Sequence, residues 1–201
     1  MKSIAGPFSD WLELTRKAID TGGVVDVPCG SCSACCCSGF FITVSMNETE
    51  TLENIPGNLL KSIPGVRGTQ YMECEPHGRC RLLREGLCSI YEYRPLSCRT
   101  FDCRIFAATG ILPNRNEQSP INQRIKSWRF SYPTLRDREL QKSLHLAATY
   151  LLKVRETGLW EGSSENNRIT ALQAIMYMDK IEELLHSAQL VRTAIDRRVH
   201  E

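Results

Sequence analysis

The sequence predicts a mainly α protein with a loop-rich, cysteine-ligated metal core and a small β-hairpin, forming a single domain over residues 1–201. Three observations predict it. All ten cysteines lie between Cys29 and Cys103, five of them within the nine residues Cys29–Cys37. Apolar residues recur at the helical period near the N-terminus and through most of the C-terminal half. Residues 28–105 instead combine turn signals with short strand-like runs. The organisation is therefore a metal-binding core at 28–105 and a helical part at 106–201.

Composition narrows the function classes. Hydrophobic residues make up 42% and charged residues 24%, as in ordinary globular domains. A net charge of +2 provides no field that would recruit nucleic acid or anionic lipid, and Arg197-Arg198 reads as a solvated helix end. No stretch approaches the roughly 20 apolar residues of a membrane helix, and Met1–Trp11 lacks a signal-peptide core. The expectation is a cytoplasmic protein with no membrane partner. There thiols stay reduced, and clustered cysteines bind metal more often than they form disulfides. Five disulfides in a secreted chain would fit the adjacent Cys35, Cys36 and Cys37 poorly.

The first element is a helix over residues 8–21, with Phe8, Trp11, Leu12, Thr15, Ala18 and Ile19 on one face. Asp10 and Glu13 form a capping-box pattern, Phe8 and Leu14 a hydrophobic staple, and Gly22-Gly23 a stop. Pro28 stiffens the entry to the cysteine loop. Phe40–Val44 reads as a strand. Ser45 and Glu48 cap a short helix that cannot pass Pro56, and turns follow at Gly57-Asn58 and Pro64-Gly65. Residues 80–91 read as a hairpin turning at Glu85-Gly86, and Pro95 starts a helical turn that carries Cys98 toward Cys103. Residues 107–119 read as loop. Ser119-Pro120 opens a short helix to about Trp128. A longer helix covers Asp137–Thr157, with Leu140, Leu144, Ala147, Ala148 and Leu151 on one face. A loop at 158–167 precedes a last helix to about Val199, whose stripe of Leu and Met residues reads as core or a partner seam.

Thiolates are soft, strong ligands for zinc, copper(I) and iron–sulfur clusters. Cys29, Cys32 and Cys35 repeat the C-x-x-C-x-x-C spacing that wraps three corners of a 4Fe–4S cubane, but Gly39 stands where a ferredoxin has its fourth cysteine. The same spacing also suits a zinc knuckle completed by Cys80, Cys88, Cys98 or Cys103. Gly30, Ser31, Ser33 and Ser38 let backbone N–H groups approach sulfur. Arg94 and Arg99, with Arg104, are cations placed to offset an anionic thiolate site, or else they make surface ion pairs. His77 reads as a turn histidine. The sequence holds no G-x-G-x-x-G, no G-x-x-x-x-G-K-S/T, no radical-SAM triplet, no serine-hydrolase elbow and no H-E-x-x-H.

Cys29-x-x-Cys32-x-x-Cys35-Cys36 resembles the signature of the CxxCxxCC cysteine-cluster family (YkgJ-like proteins). The block from Cys88 to Cys103, with Ile90-Tyr91, Arg94-Pro95, Cys98-Arg99 and Phe101, resembles that family's second half. Gly78-Arg79-Cys80-Arg81-Leu82 resembles its G-x-C-x-x-L element. The resemblance implies a zinc- or iron-chelating domain with eight shared cysteines: Cys29, Cys32, Cys35, Cys36, Cys80, Cys88, Cys98 and Cys103. Cys37 and Cys74 fall outside the pattern. The family includes flagellin N-methylase, although nothing outside the cysteine block argues for flagellin as substrate. Three readings follow. The first is a 4Fe–4S protein used in redox or sensing. The second is a cluster-dependent enzyme resembling that lysine methylase. The third is a structural zinc module presenting its helices to a partner. Zinc is expected as the alternative or additional metal, with a protein as partner or substrate.

Overall fold

The structure is a computed structural model that describes residues 3–21, 23–25, 27, 32–35, 42–76, 79–113, 118–158 and 167–199, with backbone alone for 190–199. Cys29, Cys36, Cys37 and His77 lie outside the described residues. The protein is mainly α, with a few small sheets. The chain divides into two compact units, one made of residues 1–16, 104–113 and 127–201, the other of 17–103 and 114–126. Among the described residues no helix is long and apolar enough to cross a membrane.

The first unit begins with β1 (Ser3–Pro7), which runs directly into α1 (Phe8–Thr21). α1 buries Phe8, Trp11, Leu12 and Thr15, the face that its periodicity predicts. Its start differs from the expected capping box and staple. Asp10 lies inside the first turn, and Leu14 is 64% exposed. The cap comes from a distant carboxylate instead: the Ser9 N–H donates to Asp137 Oδ1 at 2.9 Å. β7 (Trp128–Ser131) pairs parallel with β1, Ser3 opposite Trp128 and Pro7 opposite Ser131, with a bulge between Ile4 and Gly6. Phe8, Trp11 and Phe130 form an aromatic cluster, the Trp11 and Phe130 rings 4.9 Å apart.

α6 (Leu135–Thr157) and α7 (Asn167–Val199) pack together as a helical hairpin, and α4 (Arg104–Thr109) packs on both. Ala147, Ala148, Ala171 and Ala174 are buried, and these small side chains let the two helix backbones approach closely. Thr134 caps α6 in a full capping box with Asp137, and Gly158 ends it in the left-handed conformation at φ 66. Asp137 therefore serves the N-termini of both α1 and α6, and hydrogen bonds from Thr134 and Ser9 hold its carboxyl well below the usual range. α4 replaces the beginning of the expected loop at 107–119. The loop signals Gly110 and Pro113 begin only after its six residues, four of them buried and apolar or small.

The second unit holds a three-stranded antiparallel sheet in the order β2 (Ile42–Ser45), β4 (Thr69–Met72), β3 (Leu60–Ser62). α2 (Thr49–Asn54) stops before Pro56, as expected, but it starts after Glu48 with no side-chain cap, so Ser45 and Glu48 form the preceding turn and not a capping box. β5 (Leu83–Arg84) and β6 (Leu87–Cys88) form the expected hairpin, its strands shortened to two residues each. Glu85 and Gly86, at φ 49 and 81, make its turn, with positive φ at both central positions. α3 (Leu96–Arg99) follows Pro95, and α5 (Pro120–Ser127) begins at the expected proline. A small core of Val44, Ile55, Met72, Cys80, Leu82, Leu83 and Ile90 holds the sheet to the hairpin.

Candidate metal centre

The hairpin core positions the central thiols. Cys80 is 5% exposed within that core, and Cys88 packs against it from β6, opposite Leu83. Apolar neighbours shut water out around the Cys80 sulfur, so burial pushes its thiol up. The Leu82 N–H, hydrogen-bonded to the Cys80 sulfur, acts the other way and provides a donor suited to a thiolate.

Cys98 sits on α3, a helix of four residues, too short to hold its place by its own hydrogen bonds. Two side chains anchor it. The Leu96 N–H donates to Glu48 Oε2 at 2.6 Å, and the Ser97 hydroxyl donates to the Thr43 carbonyl at 2.7 Å. Glu48 meanwhile accepts the Ser45 N–H through Oε1 at 2.8 Å, so a single carboxylate ties the end of β2 to the start of α3. Sequence reasoning found only the local half of this, because Leu96 lies 48 residues away. Burial pushes the Cys98 thiol up to about 12, and the nearby thiols of Cys35, Cys80 and Cys88 add to the rise. Four cysteines from separate parts of the chain thus share one neighbourhood.

The remaining predicted residues fall as follows. Cys32 is partly buried, three residues before Cys35. Cys103 is buried at the end of the second unit's first segment. Arg94 is held locally: its Nε donates to the Tyr91 carbonyl at 2.8 Å and its guanidinium lies 3.6 Å from the Tyr91 ring centroid. Arg104 begins α4 in the first unit, its guanidinium 6.0 Å from the Trp128 ring centroid. Arg99 follows Cys98 directly and pairs with Glu48 at 3.9 Å through one terminal nitrogen. Its Nε is buried with no hydrogen-bond partner. Cys74, outside the family pattern, faces Cys80 across an isolated antiparallel bridge. No disulfide joins any of the seven described cysteines. Among the described residues no three of His, Cys, Asp or Glu are arranged closely enough to hold an ion as they stand.

The donor set is chemically matched to a metal. Four thiols suit zinc or iron, and the buried, unsatisfied Arg99 N–H beside Cys98 is a donor suited to an anionic centre. Comparison with known proteins agrees with this chemistry. Residues 28–124 match the family model CxxCxxCC, described as "Putative zinc- or iron-chelating domain". No curated protein and no solved structure matches the chain.

Proposed function

From the match of residues 28–124 to the CxxCxxCC family model, we propose that the protein holds an iron–sulfur centre through its cysteine thiolates and uses it in redox or sensing chemistry. The observation that supports this reading is that Cys35, Cys80 and Cys88 lie near enough to Cys98 for their charges to be felt there, with Cys80 buried and the other three partly buried. Iron in a cluster exchanges single electrons, at a potential set by hydrogen bonds to sulfur, net charge and solvent exposure. The Leu82 N–H supplies such a hydrogen bond to Cys80, and the unpaired Arg99 Nε–H is a further donor on a cation that would offset negative charge. Cys29, Cys32 and Cys35 at steps of three supply the local spacing of a cubane.

One observation favours a second reading. Cys35 keeps company with Cys80, Cys88 and Cys98, so the triplet is not reserved for one cubane. A closed four-thiolate zinc site fits that grouping. Metal analysis of anaerobically purified protein decides between the two. Iron with acid-labile sulfide and broad absorption near ~400 nm is expected for the first reading. Stoichiometric zinc without iron supports the second, and protein that takes up neither metal overturns both.

A further inference from the structure

The cysteine left out of the family pattern stands directly across from one that belongs to it. Two residues beyond β4, Cys74 pairs with Cys80 in an antiparallel bridge. Just inside this pair, the Glu75 N–H donates to the Arg79 carbonyl at 2.8 Å. That bond makes Cys74 and Cys80 a non-hydrogen-bonded pair, the type whose Cα atoms approach to about 4.5 Å and whose side chains lie closest. Such a separation falls at the short end of the disulfide window of about 4.4–6.8 Å. Charge on Cys74 is also felt at Cys80, so the two sulfurs are neighbours.

We propose that Cys74 and Cys80 form a redox pair, which an oxidant of the disulfide class joins in a cross-strand disulfide that withdraws Cys80 from the metal. The withdrawal rests on the metal-binding reading above; the disulfide does not. Cys74 is the more exposed of the two, so it attacks first. Its sulfur displaces one thiol from oxidised glutathione and leaves a mixed disulfide on Cys74. Cys80 sulfur then attacks that bond and displaces the second thiol. Two electrons pass to the oxidant, and the two thiol protons pass to the two released glutathione sulfurs. A metal bound through Cys80 occupies the sulfur that the second step needs, so bound metal protects the pair and the disulfide opposes rebinding.

The test uses the full chain, as purified and after chelation, in wild type and in Cys74→Ser, with Cys37→Ser as control. Each is incubated with oxidised glutathione, alkylated and digested with trypsin. In the chelated wild type and in Cys37→Ser we expect Gly68–Arg79 linked to Cys80-Arg81. That linkage is lost in Cys74→Ser and slowed in the metal-loaded protein. The disulfide proposal is overturned if Cys80 is found joined to another cysteine, or if Cys74 and Cys80 both stay alkylatable while other thiols oxidise. Metal release under the same oxidant should be slower in Cys74→Ser than in wild type, and equal rates overturn the withdrawal. If the purified protein takes up no metal yet forms the linked peptide, the metal reading fails and the redox pair stands.

Discussion

Titrating zinc into the reduced, chelated protein near neutral pH is expected to release about two protons per ion from Cys80 and Cys98 alone. Burial, reinforced by Cys35, Cys80 and Cys88, takes the Cys98 thiol from 9.0 to about 12, and burial raises Cys80 as well. Both are therefore protonated at neutral pH, and the metal binds the thiolate. The rise at Cys98 makes its ionisation about a thousandfold harder, about 4 kcal/mol that binding must offset. The sign follows. A raised thiol value favours the protonated, metal-free form, so acid opposes binding and alkali favours it. Apparent affinity should climb about tenfold per pH unit for each of these two thiols, about a hundredfold together. Proton release is read with an indicator dye in weak buffer, and affinity by competition with a chromophoric chelator at two pH values. Cys98→Ser should remove about one proton from the count. Release of less than one proton, or an affinity that does not change with pH, would refute the assignment of Cys80 and Cys98 as buried thiol ligands.

Chelation should leave most of the far-UV helical signal, because α6 and α7 bury their own apolar faces, while residues 28–105 become protease-sensitive; a chelated protein protected throughout would contradict this. Leu144→Ala, at a fully buried position on α6, should cost about 2–5 kcal/mol in urea unfolding and leave metal content unchanged. Glu85→Gly relieves a non-glycine residue at φ 49 and should gain up to about 1 kcal/mol in the same assay. The Asp137 carboxyl is held below its ordinary value, so its contribution to stability is present above the unfolded carboxyl range and is lost as pH falls through it. Asp137→Asn should flatten the acid limb of a thermal melt followed below about pH 4.

Elements with local signals were legible in the sequence. α1, α6 and α7 carry the 3.6-residue period over at least fourteen residues, and Gly158 marks the end of α6 in the sequence itself, while its start, capped by Thr134, lies two residues ahead of the expected Asp137. The Glu85-Gly86 turn was legible for the same reason. β1 was not, because a run containing Gly6 and Pro7 lacks strand character and becomes a strand only through a partner beginning at Trp128. β3 is three residues long, two of them polar, and its pairing with β4 depends on the sheet around it. At the site, the crowding of cysteines announced metal chemistry, whereas grouping Cys35 with Cys80, Cys88 and Cys98 required the fold. Glu48 shows both cases in one side chain, with a local hydrogen bond to Ser45 that the spacing reveals, though it closes a turn ahead of α2 rather than capping it, and a long-range anchor that the spacing does not reveal.

The pairing of Ser3 with Trp128 has a consequence for synthesis on the ribosome. Those residues are separated by 125 positions, so at 5–20 residues per second β1 waits roughly 6 to 25 s for its partner to be made. The cysteine-bearing stretch 17–103 is translated within that interval. Through the same interval Phe8, Trp11 and Leu12 lack Phe130, so the emerging N-terminus presents an adhesive apolar face that faster translation would shield sooner.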